Sequence, residues 1–288
     1  MAYVRKNAGA LTRTERRRFV DALLELKRRG EYDEFVRVHI DFYTADGENG
    51  LRTAHMAPSF LPWHRRFLLE LERALRRVDA SVTVPYWDWT RDRTKTSVPW
   101  TKDLLGGNGR RSDRQVTTGP FAYAAGHWTI KEGVTDGGFL TRDLGRFAAP
   151  VELPTRGELR SALDDPVYDV APWDSTAGRG FRNGLEGWGR GSGSASWRNH
   201  NRVHRWVGGA MLGGASVNDP VFWLHHAFLD LQWHRWQRAH RNHRYLPADP
   251  PGPGDAQHGR VVARHEKLPP WDETPDELED VSRIYRYA

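Results

Sequence analysis

The sequence predicts a mainly α fold: a central four-helix bundle with long loops and a few short strands. Three observations predict it. Segments near residues 33–43, 59–78, 199–207 and 219–236 place apolar or histidine side chains at intervals of three and four, the spacing that lines one helix face. Start and stop residues flank the later three: Ser59 with Pro62, Gly208-Gly209, and Asn218-Asp219-Pro220. Between residues 90 and 197 the periodicity fades into Gly, Pro, Asp, Arg and Trp, so only short strands and turns are expected there. With 288 residues, 38% of them hydrophobic, the chain can bury one sizeable core, and residues 1–288 read as a single domain.

In chain order, Thr12-Arg-Thr-Glu15 is a capping box that opens a helix through Phe19, Leu23 and Leu26, with its stop at Gly30. A second helix starts near Asp33, and His39 falls on its buried stripe beside Phe35, Val38 and Phe42. Residues 45–58 form a loop that contains His55. The next helix has Pro62 in its first turn and the stripe His64, Phe67, Leu68, Leu71, Leu75 and Val78. Residues 81–89 read as a short extended piece with aromatic anchors, and the glycine-rich stretch 187–196 as a flexible loop or lid. His200 and His204, four apart, share one face of a helix ending at Gly208-Gly209. Asn218 or Asp219 caps the last helix, whose inner stripe is Phe222, His226, Leu229, Trp233 and Trp236. Residues 247–254 are an exposed Pro/Gly connection, and the tail from Trp271 to Ala288 packs back on the domain.

Composition excludes several classes. Cys is absent, so there are no disulfides, thiolate ligands or Cys nucleophile. No run of about 18 apolar residues exists to span a membrane, and residues 1–10 lack the apolar core of a signal peptide. The formal charge is +6, but basic residues alternate with acidic ones, as between Arg73 and Asp79, instead of forming a basic stripe; nucleic acid is not an expected partner.

The histidines carry the chemistry. A lone histidine on an apolar stripe is usually a core residue bonded to a carbonyl. Here His39, His64, His200, His204 and His226 all fall on inward faces, and His55 closely precedes one of those helices. Six imidazoles in one core would leave many polar atoms to satisfy, at roughly 1–3 kcal/mol for each one unpaired. Metal ions relieve that, and neutral imidazole suits copper, zinc, iron or nickel. Two all-histidine trios lack the bridging carboxylate of a two-metal hydrolase, and a hydration-type zinc site needs only one trio. Ligation by imidazole alone at both sites favours a redox pair such as copper, without fixing the metal.

Four blocks, HMAPSFLPWHRRFLLE (55–70), PYWDW (85–89), HNRVHRWVGG (200–209) and NDPVFWLHH (218–226), resemble the type-3 dicopper family, and within it the bacterial, streptomycete-like tyrosinases. The resemblance covers most of the chain. It implies two copper ions (Cu A and Cu B), with His39, His55 and His64 on the first and His200, His204 and His226 on the second. With O2 as co-substrate, such enzymes hydroxylate monophenols to o-diphenols and oxidise these to o-quinones, the chemistry of melanin biosynthesis. Glu186, in NGLEG (183–187), matches a glutamate that works with Asn201 to orient a water that deprotonates the phenol. Arg205 and Gly214 match positions at the substrate entrance. His225, about 100° round the helix from His226, is read as a residue beside the metal or on the substrate side and not as a ligand. Thr53 stands where fungal and molluscan relatives carry a Cys linked to the histidine at 55, so that thioether cannot form. The stretch between Glu186 and His200 is longer than the family pattern.

The alternatives are an o-aminophenol or catechol oxidase with weak monophenolase activity, an oxygen carrier of the hemocyanin kind, and a zinc protein. Small phenols are the expected substrates. The resemblance also implies a small copper-loading ("caddie") partner, so the chain is secreted with that partner or stays in the cytoplasm.

Overall fold

The computed structural model describes residues 2–43, 50–133, 137–188 and 197–288. Strand β1 (Tyr3–Arg5) precedes three helices: α1 (Arg13–Arg28), α2 (Glu31–Asp41) and α3 (Phe60–Val78). A long irregular region follows, carrying the two-residue strands β2 (Arg146–Phe147) and β3 (Ala149–Pro150) and the helices α4 (Arg156–Leu163) and α5 (Phe181–Glu186). Then come α6 (Asn199–Val207), α7 (Val221–Ala239) and strand β4 (Tyr285–Tyr287). The mainly α reading holds.

Most boundaries follow from local chemistry. The Thr12 hydroxyl accepts from the Glu15 N–H at 3.2 Å, and the Glu15 carboxylate accepts from the Thr12 N–H at 2.8 Å, so the capping box starts α1 as expected. Gly30, at φ 78°, separates α1 from α2, which begins at Glu31, slightly ahead of the expected start. Asp219, not Asn218, serves the start of α7: its carboxylate accepts the Val221 N–H at 3.0 Å while gripping the buried Arg142 at 2.7 and 2.8 Å. Asn218 instead donates to the Glu132 carbonyl.

The expectation of only turns and short strands over 90–197 is corrected by α4 and α5. Thr155 and Glu158 form a second capping box at α4, a signal legible in the sequence. At eight and six residues, these helices are too short for hydrophobic period to reveal them. The glycine-rich loop lies outside the described residues from 189 to 196, as does the start of the loop before His55, at 44–49.

The centre forms where α2, α3, α6 and α7 converge. Phe35 and His39 of α2 meet Phe67 of α3 and Phe222 and Trp223 of α7, while His204 of α6 meets Phe222. Seven tryptophans, among them Trp63, Trp87, Trp89 and Trp223, are fully buried. Arg5, Arg52, Arg65, Arg142 and Arg182 are also fully buried, and Arg5, Arg65, Arg142 and Arg182 pair there with carboxylates. The tail does fold back. β4 pairs in parallel with β1, and the Tyr285 and Tyr287 hydroxyls donate to Asp230 on α7 at 2.6 and 2.5 Å. No helix among the described residues is long and apolar enough to cross a membrane.

Candidate dinuclear metal centre

The structure gathers the histidines into two clusters. In the first, one ring nitrogen from each of His39, His55 and His64 lies within 4.8 Å of the others; in the second the same holds for His200, His204, His225 and His226. The clusters touch: the rings of His64 and His226 stack at 4.1 Å between centroids, and His55 lies 5.8 Å from His200.

Main-chain carbonyls orient four of the rings. The Nδ1 of His39 meets the Gly214 carbonyl at 2.5 Å, that of His64 the Phe60 carbonyl at 2.8 Å, and that of His204 the Met211 carbonyl at 2.7 Å. The Nδ1 of His200 lies 3.3 Å from the Glu186 carbonyl and 3.0 Å from the Asn201 side-chain oxygen. A carbonyl can only accept, so each such Nδ1 carries the proton and each Nε2 keeps its lone pair. Those four Nε2 atoms are buried without a hydrogen-bond partner. Both nitrogens of His225 and His226 and the Nδ1 of His55 are likewise unpartnered. Two adjacent clusters of buried imidazoles without hydrogen-bond partners fit the donor set of two metal ions.

Electrostatics agree. Burial holds every one of these imidazoles below its ordinary range, with His39 and His204 brought down to about 4; at all but His204, repulsion between neighbouring rings adds to the effect, and at His204 the Arg205 charge does. The rings are therefore neutral at physiological pH, the form that binds metal.

A cleft of about 100 Å³ opens onto this centre, lined by His55, His200 and His204 with Tyr43, Asn201, Arg205 and Leu212. Trp188 and Trp197 also line it, their rings tilted 56° to each other with centroids 4.8 Å apart. The Arg205 guanidinium lies 3.6 Å from the Trp197 ring centre, a cation–π contact at the mouth. Sequence reasoning missed Tyr43, Trp188 and Trp197; the two tryptophans flank the glycine-rich stretch 189–196, which was the available clue.

Asn201 faces the cleft, with its Nδ2 buried and unpartnered. Glu186 is wholly buried behind it; its carboxylate accepts the Met56 N–H at 2.7 Å and an Arg182 N–H at 2.9 Å. Met56 itself sits at φ 53°, a left-handed conformation that costs an L residue roughly 1–2 kcal/mol. Gly214 packs against Tyr43 and Ile40 and contributes its carbonyl to His39, while neighbouring Gly213 lines the cleft. Of the two places expected for His225, beside the metal or on the substrate side, it takes the first: it is fully buried, stacked on His200 at 5.2 Å and facing Trp89, and it does not line the cleft. The helical rotation from His226 is real, but the rotated direction points into α6 and the core.

Paired histidine clusters in a mainly helical fold define the type-3 dicopper class. The family description "Common central domain of tyrosinase" matches residues 29–239. The chain is 54% identical to a tyrosinase of Streptomyces antibioticus over 285 residues, covering 99% of this chain and 98% of that one. It is 42% identical to the grixazone synthase of Streptomyces griseus, covering 100% and 99%. A polyphenol oxidase of Thermothelomyces thermophila superposes with a TM-score of 0.62 at 26% identity, covering 93% of this chain and 75% of that one. An octopus hemocyanin unit, at 21% identity and a TM-score of 0.59 over 99% and 68%, shares the fold. The chain belongs to the tyrosinase family, in its bacterial branch, and is a tyrosinase-type dicopper oxidase.

Proposed function

We propose that residues 1–288 form one catalytic domain that converts monophenols to o-quinones with O2, releasing water, and that also oxidises o-diphenols. The carrying observation is the pair of touching, buried, neutral imidazole clusters at the base of an open cleft. In this reading His39, His55 and His64 hold one copper ion and His200, His204 and His226 the other. His226 is chosen over His225 because its ring lies between the clusters, against His64, whereas His225 backs His200 from the far side. Bound copper would supply the binding and reduction of O2.

The chain's own groups prepare the phenol. The tryptophan pair and Tyr43 offer flat apolar walls to an aromatic ring. Asn201 presents an unpartnered amide nitrogen to the phenol oxygen or to a water beside it. Glu186 takes the phenolic proton; both carboxylate oxygens are engaged, yet each keeps a second lone pair for a water. Arg205 sets the charge at the mouth.

A second reading, an o-aminophenol or catechol oxidase with weak monophenolase activity, is supported by the grixazone synthase relative, which matches along its whole length. An oxygen carrier is disfavoured by the cleft that opens onto the histidines. We further propose a small copper-loading partner, with secretion in its company or retention in the cytoplasm, and a place in melanin formation.

The test is to load the protein with two Cu per chain and assay L-tyrosine, L-DOPA and o-aminophenol. Oxidation of L-tyrosine together with L-DOPA supports the tyrosinase reading. Oxidation of o-aminophenol and L-DOPA alone supports the second. Failure to take up copper, or uptake without oxidation of any of the three, sinks both.

A further inference from the structure

We propose that Arg182, backed by Asp169, is a positioning residue that fixes Glu186 as a brace joining the two histidine clusters. Of the six proposed ligands, only His55 is carried by a loop; the others ride on α2, α3, α6 and α7. Something other than a helix must hold His55 in place. The residue after it, Met56, adopts the left-handed φ of 53°, a conformation that persists only where its surroundings enforce it. The Met56 N–H donates to Glu186 Oε1 at 2.7 Å, and the main-chain carbonyl of the same Glu186 meets the His200 ring. One residue thus holds the His55 loop with its side chain and a ring of the second cluster with its backbone.

Glu186 is itself held. It is wholly buried, and Arg182, one helical turn earlier on α5, donates to its Oε2 at 2.9 Å. The remaining Arg182 donors are committed: Nε to Asp169 Oδ2 at 2.7 Å, Nη1 also to Asn183 Oδ1 at 3.1 Å, and Nη2 to the Asp174 carbonyl at 3.1 Å. Asp169 and Arg182 are also fully buried. A planar fork fixed at four points leaves one direction for the Glu186 carboxylate. Without that cation Glu186 would be a lone buried anion, which turns or takes a proton and loses its grip on Met56. Arg182 touches neither cleft nor ligand, so its effect reaches the metal only through Glu186 and the His55 loop.

The direct test needs no copper. In the metal-free protein, amide exchange at Met56 is expected to accelerate more than tenfold in Arg182→Gln, with the amides of α3 and α7 unchanged. Arg182→Lys and Asp169→Asn, which keep a charge or a shape, are expected to show smaller rises. Wild-type exchange at Met56 in all three overturns the proposal, as does uniform acceleration across every helix. Only the copper readout rests on the function proposed above. There, Arg182→Gln is expected to weaken one of the two copper sites by roughly 10- to 100-fold and leave the other, giving half-loaded chains with the spin signal of an isolated Cu(II). Met56→Gly, free to hold a positive φ unaided, is expected to shrink that loss when combined with Arg182→Gln. Equal weakening of both sites overturns the proposal. A wild-type chain that binds no copper, with Met56 still responding to Arg182, would overturn the copper assignment and leave the brace standing.

Discussion

The two histidine clusters reach the same chemical end by different routes. The second is built almost wholly from helical period: His200 and His204 are one turn apart on α6, and His225 and His226 start the second turn of α7. The first takes His39 from the end of α2, His64 from the start of α3 and His55 from the loop between them. A helix supplies orientation through its own ladder; a loop must be given it from outside, here by the Glu186 carboxylate. The helical cluster is therefore over-supplied, with a fourth imidazole, whereas the loop-borne cluster depends on a brace.

The sharpest way to break this comparison is to delete one member of the crowded pair. His226→Ala is expected to lose one copper and at least a thousandfold in turnover, and His225→Ala less than tenfold; copper analysis with kinetics decides. Equal losses would make His225 a ligand and the second cluster a four-imidazole site.

Glu186→Ala and Asn201→Ala separate the clusters further. Asn201→Ala is expected to lower monophenol turnover about tenfold while sparing diphenol turnover, within the range of a group that assists proton transfer. Glu186→Ala is expected to reduce both, because it also releases the His55 loop. If Glu186→Ala spares diphenol oxidation, its bond to Met56 has no bearing on the metal.

Acid should act on both clusters in the same sense. His39 and His204 titrate at about 4 in the folded, metal-free chain, against about 6.5 when unfolded. Between those values the unfolded chain binds more protons, so stability is full above pH about 6.5 and falls as pH drops toward 4. Melting of the metal-free protein across this window should show the decline, and bound copper should reduce it by competing with protons. A flat profile would contradict burial of neutral imidazoles.

The smallest expected effect lies far from the centre. Thr12→Ala removes the cap of α1 and should cost about 1 kcal/mol in denaturant unfolding without altering copper content.

Much of this was legible in the residues. The i, i+4 pair His200 and His204, the apolar stripes containing His39, His64 and His226, and the capping box at Thr12 are local patterns, and local patterns survive without the rest of the chain. Two short helices escaped notice because a six-residue helix such as α5 has too few turns to show a period; it is held by the core and by the buried ion chain of Asp169, Arg182 and Glu186. Which of its two expected places His225 takes was open for a related reason. Its angle on the helix was right, but which neighbour fills that direction depends on how α6 and Trp89 pack.

Spacing along the chain was enough for α1, α2, α3, α6 and α7 and for the inward faces that carry His39, His64, His200, His204 and His226, because side chains three and four apart share a helix face. The fold supplied the meeting of the two clusters through His64 and His226, the seating of the His39 ring on the Gly214 carbonyl, and the bond between Glu186 and the Met56 N–H. Those contacts join residues more than a hundred positions apart, where hydrogen-bond geometry and burial, not periodicity, choose the partner.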